Sequence, residues 1–88
     1  MTIDEVKDWI ADKYGVFHYK HSPGIGIYIA AVKVWGSIAF GFGSNRDNAA
    51  YDLYCDLCLP PKREPVEGLV LMPWEIEHRR QADDHKFK

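Results

Sequence analysis

The chain has 88 residues, with 47% hydrophobic and 27% charged side chains, which excludes a wholly disordered polymer and leaves room for one small core. Eleven Lys and Arg stand against 13 Asp and Glu, a net charge of −2, so the basic excess usual in a nucleic-acid binder is absent. No apolar run reaches the roughly 20 residues of a spanning helix, and the acidic N-terminus is unlike a signal peptide. Two cysteines are too few for a disulfide scaffold, and the expectation is a cytoplasmic protein without metal or cofactor.

Thr2 with Glu5 forms a capping box, and Ile3, Val6, Ile10 and Tyr14 recur at helical spacing, predicting a first helix that ends at Gly15. Val16 to Lys20 alternates and reads as a strand. Ser22-Pro23-Gly24-Ile25-Gly26 is turn chemistry. Ile27 to Val34 is rich in β-branched residues and reads as the central strand. After a tight turn at Trp35-Gly36, Ser37 to Phe42 alternates again. Ser44, with Asp47 three residues later, is the expected cap of a second helix, whose stripe is Ala50, Leu53, Tyr54 and Leu57. Pro60-Pro61 ends it.

These elements predict an α+β domain of order αβββα over residues 1–59, a three-stranded antiparallel meander with two helices on one face. A Pro-rich linker (60–68), an apolar segment (69–76) and a charged, fraying tail (77–88) complete the chain. On the sheet, Phe17, Tyr19, Ile38, Phe40 and Phe42 are expected inward, with Tyr28, Ala30, Val32 and Val34. The open face would then carry Val16, His18, Lys20, Ser37, Ala39 and Gly41 beside Ile27, Ile29, Ala31 and Lys33. Leu69 to Trp74 is expected to cross that face or to add a fourth strand, unless a partner or a second copy covers it.

The element order, and the passage SIAFGFGSNRDNAAYDLYCDL from Ser37 to Leu57, resemble the double-stranded RNA-binding domain. The likeness rests on Gly41 and Gly43 after the third strand and on Ala49, Ala50 and Leu53 in the second helix. Small αβββα accessory proteins of phages and mobile elements show a similar outline. The resemblance to the RNA-binding family implies phosphate contacts at the start of the second helix, where this chain has Ser44, Asn45 and Arg46 with Lys20, His21 and Lys33 nearby. In place of that family's lysines stand Asn45, Arg46, Asp47 and Asn48, and one Arg faces three Asp between Ser44 and Cys58. That helix repels phosphate.

Cys55-Asp56-Leu57-Cys58 lies at a helix C-terminus, where the dipole does not favour a thiolate, so both thiols are expected in the core. Gly41 to Asn45 before a helix start has the geometry of an anion nest. His18 and His21 are expected on opposite faces of a strand, and His78 and His85 in a solvated tail. No nucleophile and base can be paired, so the expectation is a non-enzymatic module that binds a protein or a protein–nucleic-acid complex. Its contacts would be Asp4, Asp8 and Asp12 on the first helix, Asp47, Asp52 and Asp56 on the second, and Ile27, Ile29 and Trp74. The phage-protein analogy implies an inhibitor, anti-CRISPR-like, that masks host machinery; a homodimer and a double-stranded RNA binder are the alternatives.

Overall fold

The computed structural model describes residues 1–58 and 66–86, with side chains described through residue 82. Helix α1 (Ile3–Tyr14) starts where Thr2 accepts a hydrogen bond from the Glu5 N–H at 3.3 Å and stops at Gly15, whose φ of 94° only glycine adopts readily. Strands β1 (His18–Ser22), β2 (Ile27–Val34) and β3 (Ser37–Gly43) form an antiparallel meander in the order β1-β2-β3. Helix α2 (Arg46–Leu57) follows, and α3 (Pro73–Lys86) closes the chain. The α+β class and the order of the first five elements are as the sequence predicts, with β1 shifted two residues later. No described helix is long and apolar enough to cross a membrane.

The core lies between the sheet and helices α1 and α2. Val6 and Ile10 of α1 meet Ala30 and Val32 of β2 and Ala49, Leu53, Tyr54 and Cys55 of α2, all buried. Cys55 and Cys58 are both buried there, as their place in the sequence suggested.

The register fixes which residues share a face. Tyr19, Ala30 and Gly41 stand in one row, and His18, Ala31 and Phe40 in the next. The first row faces the helices because Ala30 and Gly41 are buried. Ile27, Ile29 and Ala31 therefore point outward, as expected, but β3 is reversed. Gly41 and Gly43 face α2, and Ile38, Phe40 and Phe42 are 55%, 47% and 39% exposed on the outer face. The reason is a close approach: a Cβ on Gly41 would strike the backbone of Leu53 and Ala49, and one on Gly43 the backbone of Ala49 and Asn48. α2 packs on β3 with no space for a side chain between them, so the small residues must face inward.

The C-terminal segment also departs from expectation. Leu69 to Trp74 adds no strand to the sheet; the Val70 carbonyl instead accepts from the Asn48 side chain on α2. Residues 77–86, expected to fray, continue α3. Pro73 is well placed in its first turn, and Glu75 reaches back to accept the Met72 N–H at 2.8 Å, which satisfies one orphan donor of the helix start. The Pro60-Pro61 stop lies outside the described residues.

Candidate functional site

The residues singled out by sequence separate into three places. On α1, Asp4, Asp8 and Asp12 recur every fourth residue and share one exposed side with Glu5. A shallow groove there is lined by Met1, Glu5, Asp8, Trp9 and Asp12. None of these four carboxylates takes part in an ion pair among the described residues. This is an open acidic surface with an aromatic floor.

On α2 the acids are occupied. Asp47 pairs with Lys7 at 2.7 Å, and that bridge holds the Lys7 amine above its usual range. Asp52, expected to meet a partner, is buried instead. Its carboxylate accepts the Phe42 N–H at 2.9 Å and pairs with Arg79 at 2.9 Å. Arg79 also spans to Asp56 at 2.9 Å and donates to the Asp52 carbonyl at 3.2 Å. Burial pushes the Asp52 carboxyl above the ordinary aspartate value, against the pull of the Phe42 N–H, Arg79 and His78. Burial opposes the charge on Arg79 too, but the hydrogen bond and charge of Asp56, with the charge of Asp52, outweigh it and hold the guanidinium above its usual value. His78 is not solvated tail: its Nε2 lies 3.3 Å from Asp52, and its ring meets Phe42 edge-on. The His85 side chain lies outside the described residues.

The nest after β3 is filled from within. Ser44 gives Glu75 both its N–H, at 3.0 Å, and its hydroxyl, at 2.8 Å, and the Asn48 side chain adds a third bond at 3.0 Å. The anion at the start of α2 is thus the chain's own buried carboxylate. Asn45, not Ser44, caps the helix, accepting the Asn48 N–H at 2.8 Å. Sequence reasoning missed Glu75 and Arg79, four residues apart on one side of α3. The signal was Pro73 followed by Glu75, a helix start within what looked like a tail.

The third place is the outer sheet face, where β2 contributes Ile27, Ile29 and Lys33, the edge strand β3 contributes Phe40 and Phe42, and β1 contributes Lys20. The residues named for double-stranded RNA do not converge. Lys20 and Lys33 lie on this face, whereas His21 stacks on Tyr28 at 4.2 Å on the other face and Arg46 lies 5.7 Å over the Tyr19 ring. Trp74 is 40% exposed at the start of α3. No group of three or more metal-ligating side chains occurs among the described residues. Comparison with protein-family models, with curated proteins and with solved structures returns no match to this chain.

Proposed function

We propose that the chain is a non-enzymatic binding module that docks the acidic side of α1 onto a basic surface of another protein. The observation that carries this reading is the contrast between two acidic helices. Asp52 and Asp56 of α2 are held by Arg79 and Asp47 by Lys7, whereas Asp4, Glu5, Asp8 and Asp12 of α1 are exposed and form no ion pair among the described residues. Trp9 and Met1 between those carboxylates suit the stem and head of an arginine or lysine from the partner. A surface that is both basic and grooved is typical of proteins that handle nucleic acid, so the module would act by covering the site where phosphates bind. An inhibitor carried by a phage or mobile element, anti-CRISPR-like, works in this way.

The double-stranded RNA alternative has less support, because its phosphate contacts would fall on a helix start where Asp47 and the internal Glu75 already sit. Affinity capture from the native cell tests the proposal. Wild-type bait should retain a nucleic-acid-handling protein that a salt wash releases, and Asp4→Lys, Asp8→Lys, Asp12→Lys bait should lose it. Equal capture by both baits would refute it.

A further inference from the structure

The sheet carries the opposite charge signature. From Val16 to Asn45 the chain contains no Asp or Glu, so every charged side chain that the three strands place on the outer face is basic. The one carboxylate that reaches β3, Asp52, binds the Phe42 N–H from the edge and is neutralised by Arg79. Two exposed aromatic rings stand along one edge of this face, at alternate positions of the edge strand β3, with His78 of α3 edge-on to Phe42.

The register gives these groups a repeating arrangement. The row through Phe40 runs across Ala31 to His18, and the row through Phe42 runs across Ile29 to Lys20. Each aromatic thus has a basic side chain two strands away, about 10 Å across the sheet. Lys33 stands beside Ile38 in the next row along. Phe40 and Phe42 are two residues apart, so their rings are spaced by about 7 Å along the strand. That is roughly twice the 3.4 Å step between stacked bases, which suits two bases drawn apart rather than a closed duplex. Bases lying on the rings would leave their phosphates on the β1 side, within the reach of long lysine side chains.

We infer that the outer face of the sheet binds single-stranded nucleic acid, with two bases stacked on Phe40 and Phe42 and the phosphates met by Lys20, Lys33 and His18. The charge of the face selects an anion, and the paired rings select one with flat aromatic groups. This surface lies across the sheet from α1 and goes beyond the α1 reading, so either claim can fail alone.

The test is fluorescence anisotropy with labelled oligo(dT) and oligo(U) of about 12 nucleotides and with a duplex of the same length. At about 50 mM salt either single strand should bind with a dissociation constant on the order of 10⁻⁴ to 10⁻⁶ M, and comparing the two identifies the preferred sugar. Two lysine contacts predict a loss of about sevenfold between about 50 and 200 mM salt. Phe40→Ala and Phe42→Ala should each weaken binding by about 5- to 150-fold. Both rings are partly exposed, and circular dichroism checks that the variants fold. The surface pair Lys20→Glu, Lys33→Glu should abolish binding without touching the core, while Asp4→Lys, Asp8→Lys, Asp12→Lys should leave the dependence on Phe40 and Phe42 intact. Three results would each overturn the inference. They are no saturable anisotropy change up to about 1 mM protein at about 50 mM salt, duplex binding that ignores the phenylalanines, and self-association of the free chain that Phe40→Ala abolishes, which would assign the face to a second copy.

Discussion

Replacing Arg79 with methionine keeps most of the side chain's length and removes the charge that joins α3 to α2. Arg79 donates to the Asp52 carboxylate, the Asp52 carbonyl and Asp56. Its loss leaves Asp52 buried without the guanidinium that pairs with it, a change that costs about 3–5 kcal/mol when a buried charge is orphaned. Asp52 keeps the Phe42 N–H, and burial has already raised its pKa, so it can escape by taking up a proton. The expected cost is therefore lower, about 2–4 kcal/mol. For a domain of this size that lowers Tm by about 10–20 °C. Thermal melts followed by circular dichroism measure it, together with a cycle that includes Asp52→Asn. The double variant should be more stable than the sum of the two losses predicts, with a coupling of about 1–3 kcal/mol. A fall of less than about 3 °C, or strict additivity, would refute the reasoning. So would loss of α3 helicity with an unchanged Tm, since Arg79 would then hold α3 alone.

Asp52→Asn should also change the pH profile. The folded pKa of Asp52 is raised, so its contribution is full below the ordinary value of 3.8 and is lost as pH rises through the folded value. The wild type should therefore lose stability relative to Asp52→Asn as pH climbs from about 4, and a wild type that gains stability relative to Asp52→Asn over that range would contradict the assignment. Gly41→Ala should cost about 3 kcal/mol or more, because the added carbon meets the backbone of Leu53 and Ala49 rather than a movable side chain. Urea titration would show it; a change below about 1 kcal/mol would mean that α2 sits farther from β3. Trp35 occupies the β2–β3 turn with φ of 53° and is 96% exposed, so Trp35→Asn should stabilise the fold by about 0.5–1 kcal/mol. A lower Tm for this variant would show that the indole makes a contact worth keeping.

The legible parts of the sequence were those with a short-range cause. Thr2 and Glu5 cap α1 and Gly15 ends it, while the β-branched run from Ile27 fills β2 between two turns. β3 was misread because alternation gives the two faces but not their sense, and the larger apolar set was placed inward. The clue was the pairing of Gly41 and Gly43 with Ala49, small residues on both sides of one contact. α3 was misread for another reason. It docks through Glu75 and Arg79, buried and bonded, with Ile76 and Trp74 left partly exposed. A helix held by ionic contacts has no apolar stripe to reveal it, and its partners lie 23–31 residues away in sequence. The acidic residues of α2 looked like α1's on paper for the same reason, because the cation that neutralises two of them lies on α3.

The α1 claim is tested most directly by quantitative capture on three baits: wild type, the α1 triple charge reversal, and Phe40→Ala with Phe42→Ala. The account predicts a salt-sensitive protein partner with a basic surface, retained by the wild type and by the phenylalanine variant and lost from the charge-reversed α1. Retention on the charge-reversed bait and loss from the phenylalanine variant would contradict it and move the protein contact to the sheet.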